Sequence, residues 1–262
     1  MAKVPSSHRP QPDTFHGRHG QVLPPQNSRI QRKLIEINEY ANVNKMKVNG
    51  SKTKIMLFNP CKKLDFMPEL YLGDQHLELV EETRLLGISI TSNLKWHNNT
   101  KKMVLKAYRK LWMIRRLKRL GASTKDLVQV YTMQVRCIME LGVPAWQGGI
   151  TQGEKVDLER VQKTACKIIL GSSYLSYSHA LETLELEDLE QRRLKLSLKF
   201  ALRAEKHPKF KAWFVRNEKS TVTRSIPSRY CEPRARTNRF KSSPIHFLTR
   251  ILNEHYRITY RN

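Results

Sequence analysis

The residues with the clearest chemistry form one basic run in the middle of the chain. Between residues 101 and 119, nine positions are Lys or Arg and none is acidic. Cations at this density bind phosphate groups and release the counterions that surround a nucleic acid. We therefore predict phosphate contacts for Lys101, Lys102, Lys106, Arg109, Lys110, Arg115, Arg116, Lys118 and Arg119.

Two aromatic residues, Tyr108 and Trp112, are interleaved with these cations. We favour a position in the hydrophobic core for Trp112, because the indole ring is highly buried on average in folded proteins. The alternative is that these aromatic rings stack on nucleic-acid bases.

A second basic cluster follows an acidic segment. Its first members are Arg192 and Arg193, which we predict to join the nucleic-acid-binding surface, and it continues with Lys195, Lys199 and Arg203. The preceding acids are Glu182, Glu185, Glu187, Asp188 and Glu190. We interpret these acids as charges near a helix start, where the helix dipole favours them, rather than as a metal site.

The chain offers little catalytic chemistry. It has no Gly-x-Gly-x-x-Gly sequence, no phosphate-binding loop and no His-Glu-x-x-His sequence. Ser176, Ser178 and His179 lie close together, but no nucleophile elbow surrounds them. The four cysteines are at least 29 residues apart, which argues against a zinc site or a disulfide framework. We predict no catalytic residue, no metal ligand and no bound cofactor.

The whole chain carries a large positive charge. Its 262 residues include 48 basic and 23 acidic side chains, a formal charge of +25. Such a charge favours an anionic partner such as RNA. There is no apolar run of signal-peptide or membrane-spanning length. We expect an intracellular protein of the cytoplasm or nucleus, not secreted, with no membrane partner and no small-molecule substrate.

The periodicity of apolar residues changes along the chain. It predicts a helix from about residue 28, short strands at 53–58 and around a hairpin near 70–80, and a strand at 84–90 in which Gly87 indicates a bulge or a close backbone approach. Helical spacing then predicts helices at 98–120, from 124 to about 141, and at 151–170, 178–184, 189–206 and 244–255. This order predicts an α+β fold with a small partial antiparallel β-sheet, a mainly α-helical region and a basic, poorly ordered tail.

The same patterns predict four regions. These are a disordered leader at 1–32, a sheet region with a hairpin at 33–97, a helical domain at 98–217 and a basic tail at 218–262. The charge is concentrated in the later regions, since 98–217 holds 24 basic and 11 acidic residues.

The order of several short motifs resembles the reverse transcriptases of non-LTR (LINE-like) retrotransposons. Asn44-Lys45-Met46-Lys47-Val48-Asn49 followed by Lys52-Thr53-Lys54 resembles the end of the palm, and Leu85-Leu86-Gly87-Ile88 with Leu94-Lys95-Trp96 resembles the following hairpin. Further pieces resemble the thumb and the close of such a reading frame: Ile114-Arg115-Arg116-Leu117, Pro144-Ala145-Trp146, Ile168-Ile169-Leu170-Gly171 and Pro233-Arg234-Ala235-Arg236-Thr237. The likeness covers about residues 33–255.

The resemblance implies a truncated RNA-directed DNA polymerase: a palm remnant, a helical thumb and a template–primer partner of RNA or RNA/DNA. It implies that Lys52 and Lys54 lie near the polymerase site and that Leu86 and Gly87 approach the primer end. The intact family uses Mg²⁺ held by paired aspartates, including a Tyr-x-Asp-Asp turn, because two-metal phosphoryl transfer needs them. This sequence contains no Asp-Asp pair. We therefore expect a fragment that binds nucleic acid and is not an enzyme on its own.

Three alternatives remain open. The chain is such a fragment, a stand-alone basic RNA-binding protein, or a nonfunctional relic that never accumulates as protein. The Lys-Thr-Lys strand and hairpin block also resembles a segment attached to the N-terminus of an AlkB-homologue tRNA-modifying enzyme. The chain contains neither the iron ligands nor a cofactor loop for dioxygenase or methyltransferase activity.

Overall fold

The computed structural model describes residues 29–58, 69–217 and 228–259. Residues 1–28 of the expected disordered leader and residues 218–227 of the expected tail lie outside the described residues, while residues 29–32 of that leader are helical and so contradict the expected disorder. The chain divides into two compact units, the first containing described residues 29–55 and 69–79, and the second containing 56–58, 80–217 and 228–259. The described elements are mainly helices with short two-stranded pairs, so the predicted α+β class is confirmed.

The first unit packs one helix on short strands. Helix α1 (Arg29–Val43) lies against a hairpin of β2 (Tyr71–Leu72) and β3 (Gln75–His76), while β1 (Lys54–Ile55) pairs with β4 (Glu78–Leu79). The Gln31 side chain fixes α1 to the hairpin, since it donates to the Tyr71 carbonyl at 2.8 Å and accepts from the Tyr71 amide at 2.9 Å. The small core comprises Leu70, Leu72 and Leu77, with Leu34, Val48 and Ile55 packed against it.

This unit differs from the sequence prediction in two ways. Only two residues of the expected strand at 53–58 pair, and β1 runs parallel to β4 rather than antiparallel. The apolar stripe of α1 is also only partly used. Ile30 and Ile37 remain 57% and 52% exposed, because the hairpin lies against the adjacent face that carries Gln31 and Ala41.

The second unit begins with a hairpin of β5 (Glu82–Leu85) and β6 (Ile88–Thr91). Leu86 and Gly87 form its two-residue turn, with φ of +48° and +88°. Turns with two positive φ values suit the twist of hairpin strands, and glycine adopts them without strain. The expectation of one continuous strand at 84–90 is therefore wrong, because this turn divides it into β5 and β6. The close approach expected at Gly87 is present, since a Cβ there would lie 2.9 Å from the Leu141 side chain. The hairpin implied by the family resemblance is also present.

The helices of the second unit match the predicted pattern. In chain order they are α2 (His97–Arg119), α3 (Thr124–Val130), a π-helical segment (Tyr131–Arg136), α4 (Cys137–Glu140), α5 (Val143–Trp146), α6 (Gln152–Leu170), α7 (Tyr177–Thr183) and α8 (Leu189–Ala204). Several of these helices begin at a residue whose side chain accepts a hydrogen bond from the backbone of the first turn. Thr151 and Glu154 form a reciprocal capping box at the start of α6.

The main core lies between α2 and the helices that follow it. Helix α2 buries Met103, Ala107, Leu111 and Ile114, which recur at helical spacing and pack with α6 and the 131–136 segment. Beneath them, the Tyr131 hydroxyl donates to Gln162 at 2.6 Å, and Gln162 donates to the Tyr177 hydroxyl at 2.9 Å. These bonds satisfy polar groups inside the core and tie three helical segments together.

The C-terminal segment is folded against the helical domain. After α9 (Asn238–Lys241), helix α10 (Pro244–Thr259) confirms the helix predicted at 244–255 and packs on α8. A second core forms there from Ala201, Ala204, Phe214, Tyr230, Leu248 and Leu252. The expected tail is thus helical and packed from Pro244 to Thr259, whereas residues 228–237 form no helix. Among the described helices, none has the length and apolarity needed to cross a membrane.

Candidate nucleic-acid interface

The outer face of α2 carries a dense set of cations. The helix contains no acidic residue. Because it buries its apolar stripe, most of its basic side chains project away from the core. Those exposed to solvent are Lys101, Lys102, Lys106, Arg109, Arg115, Arg116 and Arg119, while Lys110 is half-buried. A surface of this kind can contact several phosphates along a backbone at once. We call the seven exposed cations the α2 basic face.

The β5–β6 hairpin anchors the first turns of α2. The Ser89 amide donates to Asn99 Oδ1 at 3.0 Å, and Glu82 accepts from Asn98 at 3.0 Å. Lys102 Nζ lies 2.5 Å from Glu82 Oε1, and this hydrogen bond lowers the pKa of the Glu82 carboxyl. Lys102 is therefore already paired, so it is less available for phosphate than its neighbours.

Trp112 lies on the basic face and not in the core. The expectation of a buried indole is wrong, since this side chain is 61% exposed. Helical geometry gives the reason: Trp112 lies one position from buried Leu111 and two from buried Ile114, which turns it away from the core stripe.

Lys118 has a structural role, although its neighbours in the sequence are cations predicted to bind phosphate. Its ammonium group donates to the carbonyls of Ile168 and Ile169 at 2.7 and 2.9 Å, at the C-terminal end of α6. A cation there satisfies free carbonyls and is favoured by the helix dipole. Gly171 leaves room for this contact, because a Cβ at that position would lie 2.5 Å from Lys118 Nζ. Lys118 is thus directed inward, contrary to the predicted phosphate contact.

Arg192 and Arg193 are also engaged inside the protein. Arg192 Nε lies 3.0 Å from Glu140 Oε1, and this hydrogen bond raises the pKa of the guanidinium. Arg193 is fully buried, donates from Nε to Gln147 Oε1 at 2.8 Å, and has its pKa lowered by desolvation. The prediction that Arg193 lies on a binding surface is therefore wrong, and Arg192 is held by carboxylates.

The remaining predicted site residues lie outside α2. Leu86 is 88% exposed at the tip of the β5–β6 hairpin, and a Cβ on Gly87 would lie 2.9 Å from the Leu141 side chain. Lys52 and Lys54 are exposed in the first unit, where Lys54 Nζ lies 2.5 Å from Glu78 Oε2 across the β1–β4 pair. Leu86 and Gly87 therefore belong to the same unit as the α2 basic face.

No family model matches the chain, and the searches of the curated proteins and of the solved structures gave no significant match. Among the described residues, no group of three or more His, Cys, Asp or Glu side chains is placed to hold a metal ion. The function of the chain is therefore inferred from the residues on its own surface.

A basic ridge on α8 was only partly identified from the sequence. Lys195, Lys199 and Arg203 are exposed on α8, and Lys206 is exposed just beyond its end. These four cations, together with Leu198 and Leu202, line a groove of about 590 Å³. The sequence cluster that contains Arg192 and Arg193 also contains most of this ridge. Their spacing of three and four residues is the signal that separates the exposed positions from the inward-facing Arg193.

Replacing Lys118 by Met should destabilise the protein while leaving nucleic-acid binding nearly unchanged. The change removes two hydrogen bonds to the end of α6, so we expect the free energy of unfolding to fall by about 1–2 kcal/mol. Denaturant unfolding followed by the helical circular dichroism signal measures this loss.

The matched control is the neighbouring substitution Arg119→Met, which removes the same charge from an exposed position. It should alter the free energy of unfolding by less than about 0.5 kcal/mol but weaken RNA binding. Equal stability for the two variants would contradict the structural assignment of Lys118.

Proposed function

We propose that the second unit binds RNA or an RNA/DNA template–primer through phosphate contacts made by the α2 basic face. This proposal rests on the arrangement of α2, whose exposed cations and buried apolar residues lie on opposite faces of the helix. Seven cations of α2 are exposed, no acid interrupts them, and the opposite face is buried against the core. Of the seven, only Lys102 has an acidic partner among the described residues.

Electrostatics favours a nucleic acid over a smaller anion. A helix of 23 residues extends about 35 Å, so the α2 basic face is long enough to follow a phosphate backbone. Each neutralised phosphate releases a counterion, which makes affinity strongly dependent on salt. The α8 ridge offers additional phosphate contacts in the same unit.

We further propose that the chain is part of a non-LTR retrotransposon reverse transcriptase and acts inside the cell, in the cytoplasm or nucleus. Support comes from the ordered motifs and from the projecting Leu86-Gly87 turn, whose counterpart in that family approaches the primer end. In α1, Ile30, Ile37, Tyr40 and Val43 are 52–82% exposed, as expected if further polymerase segments cover them. The Mg²⁺ ions of the intact enzyme would be bound by carboxylates that this sequence does not contain, so we expect no polymerase activity from this chain alone.

A stand-alone basic RNA-binding protein is the second candidate. The observation that favours it is the continuous hydrophobic core of the second unit, which α2, α6 and their neighbours form without residues from the first. Both candidates would bind RNA. They differ in origin, because only the retrotransposon fragment derives from a polymerase with a complete palm.

Binding should lose much of its salt dependence when the centre of the basic face is neutralised. With Lys106, Arg109 and Arg116 all changed to Ala, the slope of log affinity against log salt should decrease in magnitude by about 2–3. Filter binding of a short RNA across a salt series measures this slope.

The control changes Lys125, Arg160 and Arg257 to Ala, which removes the same charge from exposed positions on three other helices. Its slope should stay close to that of the unmodified protein. Equal slopes for the two triple variants would show that the net charge, and not the α2 basic face, governs binding.

The retrotransposon origin is tested by the genomic DNA upstream of the codon for Met1. We expect a frame, intact or degraded, that encodes polymerase fingers and a Tyr-x-Asp-Asp turn. Unrelated upstream DNA would favour the stand-alone RNA-binding protein.

A further inference from the structure

An aromatic and an apolar side chain lie among the cations of the α2 basic face. Leu105, Arg109, Trp112 and Arg116 follow one another at intervals of four, three and four residues, so they lie along one line of the helix surface. Trp112 is 61% exposed and Leu105 is 49% exposed. Exposed apolar side chains that lie together on one face, as Leu105 and Trp112 do here, are typical of a binding surface.

Most of this indole is open to solvent. Trp112 is 61% exposed, and among the described residues no ring contact or cation–π contact involves it, whereas other aromatic residues make several. The exposed part of the ring system is therefore accessible to a planar group.

We propose that Trp112 is a stacking platform for an unpaired base, so that the α2 basic face binds single-stranded nucleic acid in preference to a duplex. This inference rests on the proposed binding function of the α2 basic face, and of the ligands proposed there it selects an unpaired strand over the paired part of a template–primer. A base of an unpaired strand stacks on an aromatic side chain at no cost in base pairing. A duplex must first be unstacked to offer the same face.

The spacing of the flanking charges fits this arrangement. Arg109 lies about 4.5 Å before Trp112 along the helix axis and Arg116 about 6 Å after it, at a rise of about 1.5 Å per residue. The two guanidinium groups are thus placed to contact phosphates on either side of the stacked base. No acidic residue occurs on α2 to repel that backbone.

The test compares a short oligouridylate with duplex RNA of the same length, using Trp112→Ala, Trp112→Phe and the control Leu120→Ala. Leu120 is a 70% exposed apolar residue that follows the last turn of α2. We expect Trp112→Ala to weaken oligouridylate binding by about 5- to 100-fold and to change duplex binding by less than about twofold. Trp112→Phe should retain most of the affinity, and Leu120→Ala nearly all of it.

Tryptophan emission provides a second readout. Oligouridylate should quench the emission of the unmodified protein, and this quenching should be lost in Trp112→Phe although that variant still binds. Unchanged thermal midpoints in all three variants are expected, because neither side chain is buried.

The outcomes separate this inference from the proposed function. If Arg109→Ala with Arg116→Ala weakens both ligands while Trp112→Ala weakens neither, or weakens both equally, the stacking proposal is overturned and phosphate binding stands. If the arginine variant affects neither ligand, the proposed function itself fails. A change in oligomeric state on Trp112→Ala, seen by size-exclusion chromatography, would identify the patch as a protein interface and overturn the proposal as well.

Discussion

The surface of the second unit depends on one packing constraint: helix α2 must bury Met103, Ala107, Leu111 and Ile114 against the core. An α-helix with 3.6 residues per turn turns the intervening positions outward. Since those positions hold cations and no acids, burial of the stripe itself creates a concentrated positive surface. The fold therefore determines which cations reach solvent, and charge content alone does not.

The same residue type has different roles in this unit. Lys118 caps the carbonyls at the end of α6, and Arg193 is fully buried beside Gln147, whereas Arg109 and Arg116 remain exposed. Desolvation lowers the pKa of the Arg193 guanidinium, and nearby carboxylates oppose this shift only in part. Lys118 and Arg193 thus stabilise the packing of the helices, while the exposed cations remain available on the surface of the same unit.

The helical part of the fold follows closely from the sequence. The bounds of α2, α6 and α8 agree with prediction to within about two residues, because apolar periodicity and caps such as Thr151 are local signals. The β1–β4 pairing was not predictable in this way, since it joins residues far apart in the chain. Leu86 escaped prediction as a turn residue because leucine rarely adopts positive φ. The burial of Arg193 and the exposure of Trp112 follow from their positions relative to the buried stripes of their helices, although they oppose the usual preferences of those residue types.

Lysine footprinting with an amine-reactive reagent, with and without RNA, would identify the helix that contacts the nucleic acid. RNA should reduce modification of Lys101 and Lys106 on the α2 basic face, while Lys33 and Lys125, which are exposed elsewhere, should keep their reactivity. Unchanged reactivity of Lys101 and Lys106 in the RNA-bound protein would contradict the assignment of this helix as the nucleic-acid-binding surface.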